Sequence, residues 1–473
     1  MDIPSIVDYL SGLLWGLPAI IILVSTGLVV GILGGFYQIR KFGLAVKNMF
    51  YRGRGGKGEV KPFAIWAATV GAIVGTGNIA GVATAIHLGG PGALFWMWVT
   101  AILGMGLKGV EVTLAVWSRR VTPEGRVEGG TPYYIRLIPK IGPALSVVFA
   151  VLIIIGGFGT ADMLQPNNVA LGAEYIGKIF GATTDEQIFQ VRLVTGILLM
   201  IFTALVILGG IKRIGEVSNY MVPFMAAWYI IFSIGVWIKY GGDLPSAFSQ
   251  IITGAFNPQA VAGGLAGWTV FTALRYGMAR ALFSNEAGAG STPNVYAYMT
   301  IDHPGRAAFY GIFEVFMDTI VICSVTGLTI VISGVHIERP DLSGAALVME
   351  AFYRAYGAYA SAILGVALAL FAYTTMLTFA WIVEINWVYL FSRILKLPEK
   401  PMRYLVRVLW IVPSIPAAVM GELFETLWNF ADMSYGLMML VNVIAVVYFT
   451  PLALKLIKDF YSRHIYETGE VKK

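Results

Sequence analysis

Apolar residues in this chain come in blocks of about 20 or more, each long enough to cross a bilayer core as a helix. Eleven blocks are legible, at 12–38, 62–87, 92–118, 142–172, 190–210, 216–240, 260–283, 305–335, 357–393, 402–420 and 425–453. The pattern predicts eleven transmembrane spans, numbered here in chain order. Span 9 is long enough to run beyond the membrane. Span 6 contains Pro223 and span 11 contains Pro451. A proline kinks a span without ending it where neighbours re-satisfy the freed carbonyl.

Two spans depart from the simple apolar pattern. Residues 71–81 of span 2 read GAIVGTGNIAG, with glycines at 71, 75, 77 and 81 around Thr76 and Asn78. Glycine costs a helix interior about 1 kcal/mol relative to alanine, so four in eleven residues loosen the hydrogen-bond ladder. Broken backbone inside a membrane is tolerated where it is buried in protein or lines a wet cavity. The stretch therefore predicts an unwound helix at a binding site, against the alternative of close helix packing through small residues. Span 7 is the second such case, where Gly263, Gly264, Gly267 and Gly277 flank Trp268-Thr269-Val270-Phe271-Thr272. Spans 2–6 and 7–11 then form two halves of five, and an odd number per half inverts one against the other. Interrupted segments at matching positions of two halves point to a transporter's central site.

Composition agrees with this reading. The 473 residues are 57% hydrophobic and 13% charged, with mean hydropathy +0.74, which describes a polytopic membrane protein. The first block is too long for a signal-peptide core, and nothing after it resembles a cleavage site. The single cysteine, Cys323, excludes an internal disulfide and reads as a packed thiol. Charge fixes orientation. The connections after spans 1, 3, 5, 7 and 9 and the C-terminal tail, counted with the adjoining span ends, carry 26 of the 33 basic residues, and the opposite set carries 5. This places the N-terminus outside and the C-terminus inside. The formal charge of +6 thus reflects topology and does not imply a nucleic-acid partner.

Candidate chemistry gathers around the breaks. Amides freed at Gly75, Thr76 and Gly77, at the start of a half-helix, suit a carboxylate. Carbonyls near Gly71 and Val74 suit a small hard cation. Asn78 serves either ligand or makes an interhelical hydrogen bond. In span 4, Asp162 and Gln165 share a helix face at i, i+3. Asp162 is a cation-site candidate or a structural partner of Arg275 or Lys108, and Gln165 a substrate contact. Thr374, Thr375 and Thr378 in span 9 either complete a cation site or bond their own helix. Glu111, Glu314, Asp318 and Glu384 are further intramembrane acids with no partner assigned. Four dispersed histidines show no metal-ligand spacing, so no metal centre beyond Na⁺ is expected. The loop RGRGGKGEVK lacks the order of a phosphate loop, and its basic residues suit anionic lipid.

The run Gly89-Gly90-Pro91-Gly92-Ala93-Leu94-Phe95-Trp96-Met97-Trp98, on to Gly104, resembles the signature of the sodium:alanine symporter family, also called the alanine or glycine:cation symporters. Gly75-Thr76-Gly77-Asn78 is similar to its break motif. Ser284-Asn285-Glu286-Ala287-Gly288-Ala289-Gly290-Ser291 is similar to its post-break motif. The resemblance covers essentially the whole chain. It implies an all-α, LeuT-type fold of two inverted five-helix repeats, residues 62–240 and 260–458, after an accessory helix and basic loop (1–61) and before a tail (459–473). It implies a plasma-membrane symporter, not an enzyme, that imports alanine or glycine with Na⁺ and without an organic cofactor. By the same resemblance, the Gly71 and Val74 carbonyls with Thr374 and Thr375 hold sodium. Gly75, Thr76, Gly77, Asn78, Gln165, Trp268, Phe271 and Thr272 surround the substrate, Trp268 and Phe271 keeping the pocket small. The family's usual Gly-Asn-Met-x-Gln stands here as Ala161-Asp162-Met163-Leu164-Gln165, so Gln165 carries over and Asp162 departs. A proton-coupled permease with Asp162 or a glutamate as carrier is the alternative within transport. A membrane-embedded enzyme is the alternative outside it, and it lacks a nucleophile–base or His/Asp cluster.

Overall fold

The computed structural model describes residues 17–121, 126–256, 269–420 and 423–468, excepting the side chains of 17, 423–432 and 464–468. These residues form helices joined by short connections, with one small antiparallel hairpin pairing Arg120–Val121 with Val127–Glu128. Eight helices are long and apolar enough to cross a membrane unbroken: Gly92–Ser118, Gly142–Ile179, Asp185–Ile207, Gly210–Lys239, Pro304–Ser333, Tyr359–Ile394, Glu399–Val419 and Met433–Arg463. They correspond to spans 3, 4, 5, 6, 8, 9, 10 and 11. Span 2 is a bent pair, Pro62–Ile73 and Thr76–Gly89, whose two parts meet at 61°. Span 1, Leu17–Leu33, and span 7, Val270–Asn285, are shorter helices of 17 and 16 residues.

Burial separates scaffold from periphery. Span 3 is the most enclosed, with 83% of its apolar window buried, whereas spans 5, 6 and 10 bury only 28%. Those three present Ile201, Leu205, Phe224, Ile231 and Val408 outward, as helices facing hydrocarbon do. Span 3 packs against spans 1, 7 and 8, and span 4 lies along span 9. Both contacts need glycine. A Cβ on Gly172 would stand 2.5 Å from the Gly365 carbonyl oxygen, and one on Gly365 would stand 2.5 Å from that of Gly172. A Cβ on Gly277 would lie 2.3 Å from the Ala93 carbonyl oxygen. Gly277 is therefore a crossing point of spans 7 and 3, not part of a break.

Two connecting helices, Leu244–Phe256 and Gly344–Tyr356, fall outside the eleven apolar blocks. At 13 residues each they are too short to span. The first packs on span 3, where Trp96 Nε1 donates to the Ala255 carbonyl at 3.4 Å. The basic loop before span 2 is docked onto the protein. Lys57 and Val60 bridge to Ile301 and Met299, and the Arg119 guanidinium donates to the carbonyls of Ala297, Met299 and Lys57 at 2.8, 2.6 and 2.5 Å. Burial lowers the Arg119 pKa to about 10, so it keeps its charge near neutral pH.

Candidate functional site

Span 2 unwinds where its glycines predict. Its first helix ends at Ile73; Val74 and Gly75 are extended, a single tight turn covers Thr76–Asn78, and the second helix starts at Ala80. The opening N–H groups of such a turn have no earlier carbonyl to bond. Gly75 N solves this by donating to Asn78 Oδ1 at 2.8 Å. Thr76 and Gly77 lie on the wall of a cavity.

The described helix of span 7 is followed by an interruption at its far end. Its helix begins at Val270, capped by Thr269 Oγ1, which accepts from Thr272 N at 3.0 Å. It ends at Asn285, and Glu286 turns into the left-handed region with φ 53°. Gly288 and Gly290 follow with φ 91° and 75°, before a short helix at Pro293–Tyr296. The second interruption is thus the Ser284–Ser291 motif. Its backbone is held by a buried carboxylate: Gly288 N and Gly290 N each donate to Glu111 at 2.9 Å, and Asn442 Nδ2 donates to the same group at 2.6 Å. Lys108, also fully buried, donates to the Glu286 carbonyl at 3.0 Å and to Thr292 Oγ1 at 3.1 Å, and stands 3.6 Å from Glu314.

Span 8 ties the two breaks together through a residue the sequence did not single out for a role. Asp318 sits on a π-helical turn, Phe316–Cys323. Its carboxylate accepts from Asn78 Nδ2 of span 2 at 2.6 Å, from Ser284 Oγ of span 7 at 2.9 Å, and from Thr319 Oγ1 at 2.7 Å. One carboxyl group thus joins spans 2, 7 and 8 through hydrogen bonds. The signal available in sequence was an intramembrane acid beside Thr319, with nothing to say which helix it faced.

Between the breaks lies a cavity of about 60 Å³. Its wall is Ile73, Gly75, Thr76 and Gly77 from span 2, Thr160, Ala161, Leu164 and Gln165 from span 4, and Phe283, Ser284 and Glu286 from span 7. Thr375 and Phe379 from span 9 and Tyr435 from span 11 complete it. Gln165 donates Nε2 to the Thr160 carbonyl at 3.1 Å, leaving Oε1 buried with no partner among the described residues. Asn168 reaches Thr76 Oγ1 at 3.4 Å. Thr375 Oγ1 donates across to the Gly71 carbonyl at 3.1 Å, and Thr378 Oγ1 to that of Ala68 at 2.9 Å. Thr374 Oγ1 reaches only its own helix's carbonyls, at Leu370 and Phe371, both 3.1 Å, while Thr375 Oγ1 also reaches the Phe371 carbonyl at 3.0 Å.

Several expected site residues stand elsewhere. Asn78 does not line the cavity, because Gly75 and Asp318 occupy both ends of its amide. Phe271 is 54% exposed at the start of span 7, a whole helix away from Phe283 and Ser284. Thr272 caps that same end, its carbonyl against Gly89. Trp268, with Gly263, Gly264 and Gly267, lies outside the described residues. Asp162 lies on a π-helical turn, residues 158–163, and is not on the cavity wall that Gln165 lines. Neither expected partner meets it: Lys108 serves Glu314 and Thr292, and Arg275 lies over the Tyr276 ring at 5.4 Å.

Comparison with known proteins accords with this geometry. A family model described as the sodium:alanine symporter family matches residues 1–473. The sodium/alanine symporter AgcS of Methanococcus maripaludis is 36% identical over 467 residues, covering 97% of this chain and 98% of that protein. The amino-acid carrier protein AlsT of Bacillus subtilis is 34% identical over 444 residues, covering 93% and 88%. Among solved structures, that of MhsT in complex with L-phenylalanine aligns with a TM-score of 0.57 at 15% identity, over 85% of this chain and 99% of the other. At that identity the likeness is one of fold, the LeuT-type transporter fold.

Proposed function

The chain belongs to the sodium:alanine symporter family, and from that premise we propose that it imports small neutral amino acids, alanine and glycine, driven by a sodium gradient. It is an integral multi-pass transporter and not an enzyme. The observation that carries the substrate reading is the cavity between the two breaks. At about 60 Å³ it is small, which favours the smallest amino acids. Thr76 and Gly77 amides receive the carboxylate. Gln165 Oε1, buried without a partner, receives the ammonium. Phe283 and Phe379 close the apolar side. In this reading Asn78 acts by bracing the break, while Phe271 and Thr272 stand at the mouth of the path.

Sodium binds on the far side of the same break. The Gly71 carbonyl and the Thr375 hydroxyl already face each other, and the Val74 carbonyl completes the set, with Thr374 a rotamer change away. Ion and substrate then stabilise one geometry of span 2, which is how they couple. The eleven spans run N-out, C-in, with 62–240 and 260–458 as inverted repeats in a plasma membrane. The charge asymmetry of the loops supports that orientation. A larger cavity of about 710 Å³, lined by Glu59, Lys212, Arg393, Arg403 and Arg407, is then the cytoplasmic vestibule.

The test is alanine binding to purified protein with Na⁺ and with K⁺. Binding should require Na⁺, and Gln165→Ala should weaken it by about tenfold or more. Equal affinity in the two salts would remove the coupling.

A further inference from the structure

The ends of spans 1 and 11 enclose a cavity that neither the sodium site nor the substrate site uses. It measures about 370 Å³, inside the range of about 300–1,000 Å³ that ligand clefts occupy. Buried Tyr37 and Ile457 line its depth, and Tyr37 Oη is anchored to the Gly106 carbonyl of span 3 at 2.8 Å. Leu33 of span 1 and Pro451 of span 11 line it nearer the surface, with Lys455 and Lys458.

The wall is basic and carries no acid. Lys455 and Lys458 are exposed and make no ion pair among the described residues. At i, i+3 they are neighbours on the helix surface, where like charges repel. Lys41 is at the same place, its Nζ 5.5 Å from the centre of the Tyr461 ring that lines the cavity. Arg40 joins them, donating to the Gly35 carbonyl at 3.3 Å on the turn beside Leu33. Residues 17–58 contain no Asp or Glu, and Asp459, next to Lys458, is already held by His303 and Arg463. Four cations share this corner without a counter-charge of their own, so it suits an anion.

The surroundings decide which anion. Val447, Pro451, Lys455 and Lys458 follow one another by four, four and three positions, along one helix face. That face turns from apolar to basic where the last apolar block ends, at 453. On span 1, Val29 and Leu33 share a face at i, i+4, and both are exposed. The short helices that follow, Tyr37–Arg40 and Phe42–Asn48, expose Ile39 and Val46 beside Arg40 and Lys41, as segments lying in the membrane interface do. Apolar flanks towards hydrocarbon, with lysines at their edge, match a lipid with an acidic headgroup.

We propose that this cavity binds one anionic phospholipid, its phosphate between Lys455 and Lys458 and its acyl chains along Val29–Leu33 and Val447–Pro451. A zwitterionic lipid brings the same chains with a cation beside the phosphate, which the lysines disfavour. Free phosphate brings the charge and nothing for the apolar flanks. The bound lipid fills the gap between spans 1 and 11 and so stabilises their packing.

The experiment titrates delipidated full-length protein in detergent with dioleoylphosphatidylglycerol or dioleoylphosphatidylcholine, reading lipid-bound species by native mass spectrometry and Tm in parallel. Wild type should bind the anionic lipid at least about tenfold more tightly and gain Tm from it. Lys455→Gln/Lys458→Gln should weaken that binding by about tenfold or more, whereas Lys396→Gln/Lys400→Gln, elsewhere on the same membrane side, should not. Equal binding of the two lipids, or equal losses in the two double variants, overturns the site. Inorganic phosphate at matched ionic strength should not raise Tm; a rise equal to the lipid's overturns the lipid as occupant. Localisation needs no variant: phosphatidylglycerol carrying a photoactivatable acyl chain, in liposomes with wild type, should label peptides containing Leu33 or Pro451. Label spread evenly over the outward faces of spans 5, 6 and 10 overturns the assignment.

Discussion

At the scale of single residues, the site separates side chains that look equivalent in the sequence. Thr374 and Thr375 are adjacent and chemically identical, and both hydroxyls reach carbonyls of their own helix, yet only that of Thr375 also reaches the Gly71 carbonyl. Thr375→Ala should therefore weaken the apparent Na⁺ affinity of uptake by about tenfold, a lost charge-assisted contact, and Thr374→Ala should do so markedly less. A sodium titration of alanine uptake reads the difference. Asp318 makes the complementary point. Asp318→Ala takes the shortest acceptor from Asn78 Nδ2 and Ser284 Oγ, leaving the longer contacts to the Asp318 carbonyl and Cys323 Sγ at 3.3–3.4 Å, at a cost of about 1–3 kcal/mol. Both breaks loosen, so alanine affinity and thermal stability should fall together. Asp318→Asn, which keeps one acceptor oxygen, should lose less of each. The residue type and depth of Asp318 were legible in sequence. Its partners were not, since they lie 240 and 34 positions away.

At the scale of elements, the two breaks show what glycine patterns can and cannot locate. Span 2 was legible because its glycines coincide with polar Thr76 and Asn78 inside an unbroken apolar run. In span 7 the larger glycine cluster lies outside the described residues, and the interruption after the helix is made by a non-glycine residue, Glu286, in the left-handed region. Nothing in the hydropathy of that stretch announces it, because the stabilising group, Glu111, is on span 3. Glu111→Gln turns one acceptor towards the loop amides into a donor, which should cost about 1–3 kcal/mol and lower Tm in detergent. Gly172→Ala is a test of packing alone. Its new Cβ would lie 2.5 Å from the Gly365 oxygen, and overpacking of this kind costs about 1–3 kcal/mol. Thermal unfolding should show the loss without a change in sodium dependence.

At the scale of the whole molecule, nine of the eleven apolar blocks map onto membrane-length helices among the described residues, one of them bent. The exceptions are instructive. Spans 1 and 7 are described only in part, over Leu17–Leu33 and Val270–Asn285, and two amphipathic connecting helices were invisible to a search for long apolar runs. Orientation can be checked directly, because native Cys323 is fully buried and provides a silent background. A single cysteine replacing Lys458 should react with a membrane-impermeant maleimide only after right-side-out vesicles are permeabilised. Labelling from outside would invert the topology.

Coupling is the property on which the breaks, the cavity and Thr375 converge, and uptake into proteoliposomes measures it. With sodium high outside and low inside, labelled alanine should accumulate above its external concentration. Collapsing the gradient with a sodium ionophore should reduce uptake to simple equilibration. Equal accumulation with the gradient collapsed would contradict a sodium-driven symporter.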